Sequence, residues 1–101
     1  MTDKKSAGEV RNNTAANRFE IEANGEFAVS NYKIRGDTIY FTHTEVPQSM
    51  EGQGLGNRLA RASLDFAREN KMRVVPRCAF IAAFIERHQE YQDLVDADTG
   101  Q

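Results

Sequence analysis

With one cysteine in the whole chain, no internal disulfide can form, so the fold must rest on a packed core, and a reducing, cytoplasmic setting is expected. Nor is there a surplus of positive charge. The formal net charge is −2 and the pI about 5.7, without the basic footprint that nucleic-acid binders carry, so no nucleic-acid partner is expected. No apolar run approaches the roughly 20 residues of a membrane span, and the start of the chain lacks the hydrophobic segment of a secretory leader. There is no G-x-S-x-G elbow of a serine hydrolase. His43, Glu45, Cys78 and His88 show no metal-ligand spacing, so no metal is expected.

What the chain has is 101 residues, 40% hydrophobic and 28% charged, enough for one domain with a modest core. Residues 1–17 hold almost no large apolar side chain and read as a disordered tail. From Arg18 the pattern changes. Phe19 and Ile21 alternate with charged residues, Asn24-Gly25 supplies a tight hairpin turn, and Phe27, Val29, Tyr32 and Ile34 continue a second strand. Gly36-Asp37 offers the next turn. In the third strand, ending at Val46 before Pro47, alternation places Ile39, Phe41, His43 and Glu45 on one face.

After Pro47 comes Gly52-Gln53-Gly54-Leu55-Gly56-Asn57-Arg58, leading into a helical pattern with Leu55, Leu59, Ala62, Phe66 and Ala67 on one stripe. Asn70-Lys71 ends that helix. Met72 to Pro76 reads as another strand, and Phe80, Ile81, Phe84, Ile85 and His88 repeat at helical spacing from about Ala79. The expected architecture is an α/β domain of the α+β type over residues 18–95, a three-strand antiparallel meander followed by helix, strand and helix. Residues 96–101 read as a frayed tail. A monomer is the default, with residues 18–23 an edge strand that could pair across a dimer.

A strand, a glycine-rich loop and a helix start form a natural anion cradle, because the first N–H groups of a helix have no intrahelical partner and glycine admits a phosphate close to them. Two phosphate-binding patterns fail here. Asn57 and Arg58 stand where a Walker A loop needs Lys and Ser or Thr, and Asn57 replaces the third glycine of the dinucleotide fingerprint.

The loop from Glu51 through Gly54 to Gly56 instead resembles the pyrophosphate loop of acetyl-CoA-dependent acyltransferases, [QR]-x-x-G-x-[GA]. Together with His43-Thr44-Glu45-Val46-Pro47, with Val74-Val75-Pro76-Arg77-Cys78 followed by Phe80, and with His88-Gln89-Glu90-Tyr91-Gln92-Asp93-Leu94, it is similar to the short, single-domain branch of the GNAT N-acetyltransferases. This resemblance covers most of residues 18 to 95. It implies a minimal GNAT-like fold and acetyl transfer from acetyl-CoA to an amine, on a small molecule or a protein. Val46, Gly52, Gln53, Gly54, Leu55, Gly56, Asn57 and Arg58 would then hold the cofactor. Glu51 departs from the pattern, and a carboxylate there would weaken phosphate binding by repulsion.

Acetyl transfer to an amine needs a base for the ammonium, which makes His43 and Glu45 candidates; a polar pair at a sheet edge explains them as well. Cys78 sits between a strand and a helix start beside Arg77, where a helix dipole and cations favour a thiolate. The resemblance also places a cysteine at this spot, as a candidate acyl acceptor, although a lone cysteine also serves as a small buried hydrophobe. A non-catalytic CoA-binding module and a protein-interaction domain of the same shape remain the alternatives.

Overall fold

In a computed structural model that describes residues 8–95, five strands form one sheet in the order β1-β2-β3-β4-β5. The strands are β1 (Arg11–Asn13), β2 (Arg18–Ala23), β3 (Glu26–Arg35), β4 (Thr38–Glu45) and β5 (Arg73–Pro76). The first four pair antiparallel and β5 joins β4 in parallel. A parallel neighbour needs a crossover, and α1 (Leu55–Glu69) supplies it; α2 (Ala79–Arg87) follows β5. This is an α+β fold.

The turns follow their chemistry. Asn24 and Gly25 both have positive φ, 55° and 83°, the requirement of the I′ hairpin turn that joins β2 to β3. Asn70 caps α1, and Lys71 at φ 55° turns the chain toward β5.

Both helices cover one face of the sheet. Phe19, Ile21, Ala28, Tyr32, Ile39, Phe41 and Val74 meet Leu55, Leu59, Leu64, Ile81 and Phe84 in a single core. The buried stripe of α1 is Leu55, Leu59, Ala60, Ser63, Leu64 and Ala67. Ala62 and Phe66, expected on the stripe, lie at its half-buried flank. On β3 the core positions are Ala28, Ser30 and Tyr32; Phe27 and Ile34 are exposed, and Val29 belongs to the far face. Among the described residues, no helix packs on that far face.

Two expectations need correction. Residues 11–13, expected within a disordered tail, form β1, so the meander has four strands and residues 18–23, expected at a sheet edge, have β1 beside them. Arg11 and Asn13 bind Glu20 of β2, and the Tyr32 hydroxyl donates to Asn12 Oδ1 at 2.7 Å. These polar contacts, with no apolar alternation, recruit the segment. Residues 1–7 and the expected tail at 96–101 lie outside the described residues. The second correction concerns β4. Asn31 pairs with His43 but Tyr32 pairs with Phe41, which leaves Thr42 as an extra residue. This bulge reverses the alternation. Ile39 and Phe41 face the core, and His43 and Glu45 face the opposite side.

Candidate active site at the end of β4

The parallel ladder between β4 and β5 ends at Phe41 and Pro76. The Phe41 carbonyl then accepts from the N–H groups of both Arg77 and Cys78 at 3.0 Å, while β4 runs on to Glu45. Past this fork the two strands part. Cys78 is the N-cap of α2 in extended backbone. Its thiol donates to Thr44 Oγ1 at 3.2 Å. The bulge makes this contact possible, since it turns Thr44, paired with the buried Ser30, to the helix side of the sheet.

A hollow of about 400 Å³ opens beside Thr44, bounded by Val46, by Glu51, by Gly54 to Asn57 and by Phe80 of α2. Its glycine wall is built for a close approach. Gly54 is the N-cap of α1 with φ 73°, and no side chain caps the helix. The first internal bond runs from Arg58 N–H to the Gly54 carbonyl at 3.1 Å, so the amides of Leu55, Gly56 and Asn57 have no intrahelical acceptor. Gly52 also has positive φ, 84°, and a Cβ on either Gly52 or Gly54 would meet nothing within 4 Å. At these two positions the chain leaves both backbone conformation and space free for a ligand. Gly56 differs, because a Cβ there would stand 2.7 Å from Cζ of Phe80.

Five of the residues expected at a cofactor site therefore line one hollow: Val46, Gly54, Leu55, Gly56 and Asn57. Gln53 is exposed, and its side-chain amide donates to the Ser49 carbonyl. The Arg58 guanidinium donates to the Gly8 carbonyl at 2.9 Å. Thr44 and Phe80 belong to the hollow although only their places in two motifs drew attention to them.

His43 and Glu45 do not join Cys78. They stand 3.7 Å apart on the far face of the sheet, 61% and 70% exposed, an ion pair only when the imidazole is protonated. His88 stacks on Phe84 with ring centroids 3.9 Å apart, and its Nδ1 lies 2.8 Å from the Phe84 carbonyl oxygen. Tyr91 is buried behind α1, where its hydroxyl donates to Asp65 at 2.8 Å. Burial, then the bond to Asp65, raise its phenol above the ordinary value. Arg61 binds Glu90 and the Tyr91 hydroxyl, and Arg68 binds Asp93 and the Glu90 carbonyl. These contacts clamp the segment after α2 onto α1.

Among the described residues there is no group of three or more His, Cys, Asp or Glu side chains arranged to hold a metal ion, and no helix is long and apolar enough to cross a membrane.

Comparison with known proteins agrees with this architecture. Residues 18–94 match the model of the GCN5-related N-acetyltransferase family. Protein NATD1 from Bos taurus is 33% identical over 82 residues, covering 78% of this chain and 73% of the bovine protein. Protein NATD1 from Xenopus tropicalis is 29% identical over 89 residues, 85% of this chain and 82% of its own length. The NMR solution structure of a GCN5-like protein from Staphylococcus aureus superposes with a TM-score of 0.69 at 30% identity, covering 87% of both chains. The hollow at the head of α1, the strand that bulges toward it and these matches converge: the chain belongs to the GCN5-related N-acetyltransferase family.

Proposed function

We propose that the protein is an acetyl-CoA-dependent N-acetyltransferase whose hollow between β4 and the head of α1 holds the cofactor. The observation that carries this reading is the uncapped α1 N-terminus behind Gly52 and Gly54. Free amides there suit the pyrophosphate, and the open space above the two glycines suits its approach. Bound acetyl-CoA supplies an acetyl group activated as a thioester. Val46 and Phe80 give the hollow apolar walls for the arm that carries it, and the unpaired edge of β4 beyond Phe41 offers backbone groups to that arm's amides.

The Cys78 thiol reaches the edge of this hollow through its contact with Thr44. Thr44 fixes the thiol's position; a threonine hydroxyl is no base, so it does not take the thiol proton. Two routes follow for the acetyl group. In one, the Cys78 sulfur would take the acetyl group as the thioester bond to CoA breaks, the thiol proton leaving on the CoA thiol, and an amine would then attack the Cys78 thioester and restore the free thiol. In the other, the amine attacks directly after losing a proton to Glu45 or His43, whose place across the sheet from Cys78 suits an acceptor arriving from that side. Intact-mass measurement after brief exposure to acetyl-CoA separates them. One added acetyl group on the protein, absent in Cys78→Ala, together with loss of turnover in that variant, supports the relay. Full turnover in Cys78→Ala eliminates it. Saturable cofactor binding without turnover on a broad panel of amines would favour a CoA-binding module.

A further inference from the structure

The far face of the sheet, which no helix covers among the described residues, carries a hollow of about 320 Å³ lined by Lys33, Arg35, Tyr40, Thr42 and Arg77. The register explains the gathering. Lys33 pairs with Tyr40 and Arg35 with Thr38 across β3 and β4, and Arg77 continues from β5, its guanidinium over the Tyr40 ring at 5.5 Å. Tyr40 forms an aromatic floor, and three cations rise around it. Among the described residues no carboxylate lines the hollow, and none forms an ion pair with Lys33, Arg35 or Arg77.

Four arginines elsewhere among the described residues have a carboxylate partner. Arg11 and Arg18 share Glu20, Arg61 meets Glu90, and Arg68 meets Asp93. Like charges gathered around one hollow repel one another even in water. Three unneutralised cations around one hollow, in a chain of net charge −2, are an arrangement that an anion would relieve.

Its position gives the anion a role. Arg77 and Cys78 are consecutive and both donate their N–H to the Phe41 carbonyl, yet their side chains leave toward opposite faces: Arg77 toward Tyr40, Cys78 toward Thr44. Just beyond that carbonyl the ladder between β4 and β5 ends. An acceptor anchored by its negative end among the cations would present its amine at that fork, beside the Arg77–Cys78 peptide. We propose that this hollow is the anion subsite of the acetyl acceptor, which is therefore an amine bearing a carboxylate or a phosphate. Lys33, Arg35 and Arg77 determine its specificity, with the two arginines suited to bidentate pairing. This assignment rests on the acetyltransferase reading, but its binding test needs no acetyl-CoA.

Isotope-labelled full-length protein is titrated with O-phosphoethanolamine, with β-alanine and with ethanolamine, an amine that lacks the anion. The expected result is saturable movement of the Tyr40, Thr42 and Arg77 amides with at least one anionic amine. Ethanolamine should bind weaker by about tenfold or more, since one charge-assisted hydrogen bond is worth at least that factor. Lys33→Glu with Arg35→Glu, both at exposed positions, should abolish the response, and Arg77→Lys should retain part of it. Equal binding of ethanolamine, or an undiminished response in the double variant, overturns the proposal. Adenosine 3′,5′-bisphosphate forms a further arm: if it moves these amides and the anionic amines do not, the hollow serves the cofactor's phosphates and the acceptor assignment falls. Acetyl-CoA added to the same samples reports at the amides of Gly52 to Gly56. Failure there removes the proposed function, and with it the acceptor role, while leaving anion binding at the hollow to stand on its own shifts; silence at Tyr40, Thr42 and Arg77 with the amines counts against the acceptor subsite alone.

Discussion

Gly56 in α1 and Phe80 in α2 are matched by shape: the glycine's missing Cβ is the space that the phenyl ring fills, with Cζ 2.7 Å from where that carbon would stand. Gly56→Ala is expected to destabilise the protein by about 1 kcal/mol, overpacking against the ring tip being offset in part by alanine's better helix propensity. Adding Phe80→Leu should restore much of the loss. Chemical denaturation of the two single variants and the double variant measures the coupling, and strictly additive effects would show that the contact is not the reason for the glycine. Gly54 gives a contrast, because Gly54→Ala meets no atom and is penalised by its positive φ alone, about 1 kcal/mol. Phe80→Leu should do nothing for it.

Glu20, only 2% exposed, lies on the far face between Arg11 and Arg18. Hydrogen bonds from Arg18 and then Arg11 hold its carboxyl below the usual value of 4.5. The folded state therefore binds this proton less readily than the unfolded chain. The stability that Glu20 contributes is complete above about pH 4.5 and drains away as the pH falls through the lower, folded value. Glu20→Gln should be less stable than the parent at neutral pH, and the gap should narrow on acidification below that value. Denaturation midpoints measured from neutral to acidic pH check this; a gap of constant size would contradict it.

Ser63 is fully buried on the core stripe of α1, and its hydroxyl has no hydrogen-bond partner. Ser63→Ala removes that unsatisfied group and improves helix propensity, which together should raise stability by about 1 kcal/mol. A fall in the urea midpoint would show that the hydroxyl is satisfied in solution.

Thr44 holds the Cys78 thiol at 3.2 Å. Thr44→Val keeps the shape and removes the oxygen. On the relay route this variant, at saturating acetyl-CoA, should acetylate Cys78 more slowly, by roughly two- to fivefold, since S–H is a weak donor worth about 0.5–1 kcal/mol. Single-exposure mass spectrometry gives the rate, and an unaltered rate would remove Thr44 from the chemistry.

The parts of this fold that were legible in the sequence are those set by local chemistry. Asn24-Gly25 and Gly36-Asp37 mark two-residue turns, Asn70-Lys71 stops α1, and the alternating glycines announce the head of that helix. The misread parts depend on partners far along the chain. Thr42 becomes a bulge only through the register of β4 on β3, so simple alternation put His43 and Glu45 on the wrong face and hid Thr44. Arg11, Asn12 and Asn13 carry no strand pattern; they are held by Glu20 and Tyr32. Phe80 reads as one more apolar residue of α2 until Gly56 is seen beneath it. Lys33, Arg35 and Arg77 come together only when β3, β4 and β5 lie side by side.

The most direct test of the account is a titration of the isotope-labelled protein with acetyl-CoA, followed at the backbone amides. Saturable shifts at Gly52, Gly54, Leu55, Gly56 and Asn57, extending to Thr44 and Cys78, are the predicted result. An unchanged spectrum at millimolar acetyl-CoA would contradict it, leaving a domain of acetyltransferase shape whose glycines serve the fold alone.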